Sequence, residues 1–321
     1  MVIISPRRYG KTSLVINALE RNHVPFLYID CALAEDERSL VNAIANEYAS
    51  KLDNIQVLEK VLRKFNITFS ININPISVSV SQVKIDSLKS ILTEAAKHYV
   101  IVFDEFQDIY EKNKHLVNKI RSIIQFLENS VVMLGSKRHL LTALFLKPRG
   151  ILYNFGSAMH LDKIEHNIFK KFIMNWFKKT KVLVRESEIE EVLNFTGNHP
   201  FFTQYLCHFL FEKRINEKAT ISQVIEDIMN VNSAFYEETY LPLSPTQKKA
   251  ALLLSSQQDG IYSLDLLAKF QIKSTQALQK AIKALMKKEI VDKNGSYYII
   301  DVFFKHWLYQ KVLGTNAPMR L

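Results

Sequence analysis

A chain of 321 residues, 48% apolar and 23% charged, is long enough for two or three cores and too apolar for a disordered or low-complexity protein. Two cysteines, Cys31 and Cys207, cannot build a disulfide framework or a zinc site, and no apolar run approaches the roughly 20 residues that span a bilayer. The net charge of +10 gathers at the carboxyl end, where residues 245–321 carry twelve Lys or Arg against five Asp or Glu; the whole reads as a cytoplasmic protein without a membrane partner, its basic end suited to nucleic acid or an acidic protein.

The first element is a buried strand, Val2-Ile3-Ile4, which runs into SPRRYGKTSL at residues 5–14. A Gly-Lys-Thr at the mouth of a loop, followed by a helix with Leu14, Val15, Ala18 and Leu19 on its apolar face, is the pattern of a phosphate-binding loop. Ser5, Pro6, Arg7, Arg8, Tyr9, Gly10, Lys11, Thr12 and Ser13 would wrap the phosphates of ATP or GTP. Backbone N–H groups and the helix dipole supply positive potential there, Lys11 would reach the β and γ phosphates, and the Thr12 hydroxyl would ligate Mg2+. The full pattern asks for glycine where Ser5 stands.

A second strand at 26–30, a helix with Leu40, Val41, Ile44, Ala45 and Tyr48 on one face, and a helix over 55–65 continue an alternation that predicts a parallel sheet flanked by helices. Ile67, Phe69, Ile71 and Ile73 then alternate with Thr68, Ser70 and Asn72, Asn74-Pro75 turns, and Ile76, Val78 and Val80 alternate with serines. This predicts a β-hairpin inserted at 66–81, either a docking element for a partner or a cover over an exposed helix or sheet edge.

Residues 99–103, YVIVF, form a strand that runs into Asp104-Glu105. Open α/β sheets bind ligands at the carboxyl ends of their strands, so this motif and the Gly-Lys-Thr loop converge on one crevice. Asp104 would hold Mg2+ with its water shell and Glu105 would polarise the attacking water. A helix with Leu116, Val117, Ile120, Ile124 and Leu127 leads to a strand at 131–135 that ends in Ser136. Ser136 either bonds the γ-phosphate or lytic water or caps a helix over 138–146, and Lys137 and Arg138 face phosphate or solvent. The catalytic candidates are therefore Lys11, Glu105 and Ser136.

A last core strand at 158–161 gives way to helices. Ile168, Phe169, Phe172, Ile173, Trp176 and Phe177 repeat at helical spacing and read as the core of a helical lid, with a second helix over 186–195. Gly197 and Pro200 break it, and another helix opens with Phe201, Tyr205, Leu206 and Phe209. Helices over 247–254, 264–270 and 274–288, then a hairpin turning at Asn294-Gly295, predict a winged helix-turn-helix. In its third helix Leu278, Ala281, Ile282, Leu285 and Met286 face inward, leaving Gln276, Gln279, Lys280, Lys283 and Lys287 outward. Amides for base edges and lysines for phosphates suit duplex DNA, and the same face suits a protein contact or plain solvation. The predicted organisation is an α/β P-loop core over 1–163, an all-α lid over 164–242 and a winged helix-turn-helix over 243–321.

SPRRYGKTSL from Ser5, VFDEFQDI from Val102, LGSKRHLLTALF from Leu134, LYNFGSAMHLDKI from Leu152 and TGNHPFFTQYLC from Thr196 together resemble the archaeal-type ATPases and their bacterial relatives, in the STAND branch of P-loop NTPases. The resemblance covers nearly the whole chain. It implies an AAA-like core with a lid and a winged helix, binding of ATP and ADP with Mg2+ between core and lid, and a slow nucleotide-controlled switch. It also implies that Pro200, which matches the family's Gly-x-Pro element with His199 beside it, lies near the nucleotide. Residues 152–155 read Leu-Tyr-Asn-Phe where archaeal members tend to carry Leu-Tyr-Gly-Arg, so an arginine for transition-state charge is missing and slow hydrolysis is expected. Members usually begin with a helical segment over the adenine, whereas this chain starts at its first strand, so a shortened amino end is expected. An ATP-gated DNA-binding regulator and a non-hydrolysing interaction scaffold are the rival readings to the switch.

Overall fold

Short apolar strands separated by amphipathic helices assemble a parallel sheet in the first half of the chain. In the computed structural model, which describes residues 1–52, 54–73, 76–257 and 259–312, the strands in that half are β1 (Val2–Ile4), β2 (Phe26–Asp30), β3 (Ile67–Ile73), β4 (Ile76–Val83), β5 (Val100–Asp104), β6 (Val131–Gly135) and β7 (Ala158–His160). Five of them form one sheet in the order β2-β5-β6-β1-β7, parallel throughout. Asp30 pairs with Asp104 and Ile4 with Gly135, so the carboxyl ends of β2 and β5 end level with each other, as do those of β1 and β6.

One face of this sheet packs Leu27, Ile29, Ile101, Phe103 and Met133 against helices Glu37–Ala49, Ser87–Ala95 and Lys114–Ile124, with Leu40, Ile44, Leu88, Ile91, Val117 and Ile120 buried between them. The helix Ser87–Ala95 has no counterpart in the sequence reading. The other face is a narrow strip of Ile3, Val102, Val132 and Leu134 that seats Val15 of helix Lys11–Arg21. The apolar face expected for that helix is thereby reduced: Val15 is buried and Leu19 partly so, but Leu14 is 44% exposed and Ala18 is exposed too.

β3 and β4 form the expected hairpin, antiparallel with a register shift at Thr68/Phe69; its Asn74-Pro75 turn lies outside the described residues. The chain divides into two compact units, Met1–Asp162 and Lys163–Leu321. No helix among the described residues is long and apolar enough to cross a membrane.

In the second unit, helices His166–Thr180, Glu186–Thr196, Pro200–Asn216, Ile221–Val231 and Ser233–Tyr240 precede helices Pro245–Ser256, Leu264–Lys269 and Thr275–Lys287, hairpin β8 (Val291–Asn294) and β9 (Ser296–Ile299), and helix Val302–Trp307. Phe202, Leu206, Ile228 and Tyr236 share one hydrophobic cluster with Leu253, Ile282, Phe303 and Trp307. Of the aromatic run expected in the core of the first helix, Phe169, Ile173 and Phe177 are buried, whereas Ile168, Phe172 and Trp176 are 64%, 55% and 53% exposed. Helical spacing puts the six on two adjacent stripes, and only one stripe meets the cluster.

Arg214 spends its guanidinium on four partners: Glu188 Oε1 at 2.5 Å, Glu188 Oε2 at 3.1 Å, and the carbonyls of Leu183 and Ala219 at 2.9 and 3.0 Å. These bonds tie helix Glu186–Thr196 and helix Pro200–Asn216 to two loops. The Arg214 hydrogen bond holds the Glu188 carboxyl down at about 2, against burial that pushes it up. A carboxyl lowered by folding adds stability above its ordinary value of 4.5, and that stability drains away as the pH falls toward 2. Chemical denaturation across this range is expected to show the loss, and Glu188→Gln to flatten it while costing about 3 kcal/mol at neutral pH, the order for breaking one side of a buried ion pair.

Candidate functional site

The loop after β1 begins with Ser5 and Pro6, both buried, and the Ser5 hydroxyl donates to the Pro6 carbonyl at 3.2 Å. Arg8 and Gly10 adopt left-handed backbone, at φ 64° and 80°. A Cβ at Gly10 would meet nothing within 4 Å, so the conformation alone demands glycine there. It starts helix Lys11–Arg21, whose Leu14 N–H donates to the Gly10 carbonyl at 2.8 Å. The first turn carries no acidic residue, so the positive end of the helix dipole is left available to an anion.

Asp104, at the end of β5, is only 4% exposed. Its Oδ2 accepts from the Thr12 hydroxyl at 2.5 Å and the Tyr28 hydroxyl at 2.9 Å, and its Oδ1 from the Glu105 N–H at 2.8 Å. Glu105 has a left-handed φ of 49°. Its Oε2 accepts from Gln107 Nε2 at 2.5 Å and from the Ser136 hydroxyl at 2.7 Å, and its Oε1 lies 3.9 Å from Lys11 Nζ. Arg7 Nε donates to Ser136 Oγ at 3.5 Å. Lys11, Thr12, Asp104, Glu105 and Ser136 therefore meet in one connected cluster, and β6 brings Ser136 there because it lies between β1 and β5.

Burial lowers the Lys11 ammonium below its ordinary pKa, partly offset by the Glu105 and Asp104 charges. For Glu105, burial pushes upward, but the bonds from Gln107 and Ser136 with the charges of Lys11 and Arg7 hold the carboxyl below its ordinary value. Burial, then the Asp104 charge, raises the Tyr28 phenol. Lys11 and Glu105 face each other as an ion pair at 3.9 Å. The donor set fits Mg2+, since a buried carboxylate in contact with a hydroxyl offers hard oxygens and leaves room in the octahedron for phosphate and water.

Ser136 does not cap the following helix: Arg138–Leu141 has Lys137 at its N-cap and no side-chain cap bond. Lys137 pairs with Asp108 at 3.2 Å and with Glu111, and Arg138 lies 3.8 Å from Asp162. Tyr9 is buried, while Arg7, Arg8, Gly10 and Ser13 face outward. Pro200 belongs to the second unit, in the first turn of helix Pro200–Asn216, behind an N-cap at His199. Gln276, Gln279, Lys280, Lys283 and Lys287 are all exposed on helix Thr275–Lys287, opposite buried Leu278, Ala281, Ile282 and Leu285.

Two contributors escaped the sequence reading. Tyr28 sits in the middle of a strand, and its reach to Asp104 depends on strand register. Gln107 is fully buried, yet an amide just after Asp-Glu in VFDEFQDI was a usable signal. Its seat explains Gly135, where a Cβ would lie 2.0 Å from Gln107 Oε1 and 2.7 Å from Leu141 Cδ1.

A parallel sheet whose strand ends gather a Gly-Lys-Thr loop and a buried carboxylate defines a P-loop NTPase. Residues 1–206 match the ATPase domain found predominantly in archaea, and residues 234–310 match a probable winged helix domain. The chain belongs to that archaeal ATPase family. Among solved structures it is similar to the Walker-type ATPase of Pyrococcus abyssi, 18% identical with a TM-score of 0.67 over 96% of this chain and 90% of that one. It is also similar to the Aeropyrum pernix ORC1 protein in complex with DNA, 12% identical with a TM-score of 0.51 over 97% and 86%. At these identities the likeness is one of fold. No curated protein matches the chain.

Gly135→Ala is expected to lower stability by about 1–3 kcal/mol through overpacking against Gln107, measured by urea denaturation. Adding Gln107→Ala should recover much of that loss, a non-additivity that a double-mutant cycle reads directly.

Proposed function

We propose that the chain is a slow, Mg2+-dependent ATPase whose nucleotide state acts as a molecular switch. The observation that carries this reading is the single cluster joining Lys11, Thr12, Asp104, Glu105 and Ser136 at the carboxyl ends of β1, β5 and β6. The loop from Ser5 to Ser13 would hold the phosphates through its N–H groups, with Arg7, Arg8 and Lys11 supplying positive charge. Thr12 and Asp104 would hold Mg2+, which when bound neutralises charge on the phosphate oxygens. Lys11 now lies beside Glu105 Oε1; turning it to a phosphate would leave that oxygen to orient a water, while Gln107 and Ser136 keep the other oxygen fixed. Ser136 would couple Glu105 to the nucleotide state. The choice of ATP over GTP rests on family membership.

Calorimetry and phosphate release on the parent chain and two variants test this. The parent is expected to bind Mg-ATP and hydrolyse it slowly, Lys11→Ala to lose binding, and Glu105→Gln to bind normally with turnover reduced about a hundredfold or more. A parent that neither binds nor hydrolyses ATP, or a Glu105→Gln variant as active as the parent, would reject the reading.

A second reading, ATP-gated binding of duplex DNA through the winged helix, is favoured by the joint exposure of Gln276, Gln279, Lys280, Lys283 and Lys287 on one helix face. The ORC1 neighbour, whose structure is a complex with DNA, is of the same fold. Replacing Lys280, Lys283 and Lys287 with alanine should weaken duplex binding and flatten the dependence of log affinity on log salt by about one for each phosphate left without its lysine. Affinity and salt slope equal to the parent's would leave the face to a protein partner or to solvent.

A further inference from the structure

The β3–β4 hairpin has one edge closed and the other open. On β4 the Val80 N–H donates to Asn42 Oδ1 at 2.9 Å and the Val78 N–H to Asn46 Oδ1 at 2.8 Å, while Asn46 Nδ2 donates to the Val78 carbonyl at 2.6 Å. Two side chains of helix Glu37–Ala49 thus occupy the outer backbone of β4, and the register shift at Thr68/Phe69 interrupts its ladder.

β3 has no such protection. Since Val78 and Val80 turn their backbone groups away from β3, their partners Ile71 and Phe69 stand in non-hydrogen-bonded pairs and turn their own N–H and C=O toward the opposite edge. Among the described residues no hydrogen bond reaches those groups. The strand reads Ile-Thr-Phe-Ser-Ile-Asn-Ile, with none of the charge, proline or glycine by which proteins blunt an exposed edge. Thr68, Ser70 and Asn72 are exposed, and Ile67, Phe69 and Ile71 are half-buried.

We propose that the open edge of β3 is a homodimer interface, in which β3 pairs antiparallel with β3 of a second copy about a two-fold axis at Ser70. An occupant of this edge must bring an open edge of its own, the same alternation of apolar and polar residues, and no charge facing the strand. The second copy meets all three conditions. Pairing about Ser70 sets Phe69 opposite Ile71 of the second copy as a hydrogen-bonded pair, using the outward groups of both strands. It sets Ser70 opposite Ser70 of the second copy as a non-hydrogen-bonded pair, with Cα atoms about 4.5 Å apart. Apolar side chains then meet apolar on one face of a continuous four-stranded sheet, and polar meet polar on the other.

Sedimentation of the full chain over a wide concentration range tests this. The mass is expected to rise from 37.2 kDa toward twice that value as concentration increases. Ser70→Lys and Ser70→Asp, at an exposed position, should each hold the chain monomeric by setting like charges across the axis, and mixing the two variants should restore a dimer. Ile71→Pro removes an outward N–H that the hairpin itself does not use, and should weaken association at least tenfold with the circular dichroism unchanged. A chain that stays monomeric throughout overturns the proposal, as does a dimer indifferent to both Ser70 variants, or a mixture of those variants that stays monomeric. Hydrogen-exchange protection of the Phe69 and Ile71 amides at concentrations where the chain is monomeric would also overturn it, by showing the edge covered from within the same chain.

Discussion

Asp104 is a carboxylate taken almost wholly out of water at the end of a parallel strand, and the site is arranged around keeping it there. An unpaired charge in that position would cost several kcal/mol, roughly the whole margin by which a domain is stable. Three donors offset the cost, and they come from three places: the hydroxyl of Thr12 from the helix after β1, the phenol of Tyr28 from β2, and the N–H of Glu105 from the turn after β5. Sequence keeps these donors apart, and the sheet brings them together. The strand order and parallel register that do so are therefore what gives the buried Asp104 oxygens their partners.

Glu105 itself sits in left-handed backbone, a region that costs a non-glycine residue about 1–3 kcal/mol, and its carboxylate is held there by bonds from Gln107 and Ser136. Both of those donors act on one oxygen. The other is left toward Lys11, so the Lys11 and Glu105 charges face each other across 3.9 Å in a partly desolvated place. Gln107 can hold its position because Gly135 has no side chain, which makes the packing of β6 part of how Glu105 is aimed.

Much of this was legible in the sequence, for identifiable reasons. Apolar runs that end in Gly-Lys-Thr, Asp-Glu and Gly-Ser marked the carboxyl ends of β1, β5 and β6, and the period-two alternation from Ile67 marked the hairpin. What stayed hidden depended on how elements pair. Tyr28 reaches Asp104 because Asp30 and Asp104 share a register, which no local pattern encodes. Nothing local in the sequence marks Asn42 and Asn46; only the placement of β4 shows them clamping a strand edge. Periodicity alone places Ile168, Phe172 and Trp176 in the core, because it identifies an apolar face without saying what, if anything, lies against it. The helices Ser87–Ala95 and Ile221–Val231 have regular buried faces but carry no motif residue that marks them.

The second unit adds a constraint on any switch. The helices after Lys163 and the winged helix domain matched at 234–310 share one hydrophobic cluster: the Phe202 and Phe303 rings meet at 6.1 Å, and Trp307 Nε1 donates to Ser233 Oγ at 3.4 Å. Freeing that domain from those helices would expose Phe303, now almost fully buried, at a cost of about 1.5–3 kcal/mol for a large apolar side chain brought into water. Close-packed interfaces move between discrete arrangements and do not deform smoothly, so the proposed switch would have to move these helices and the wing together.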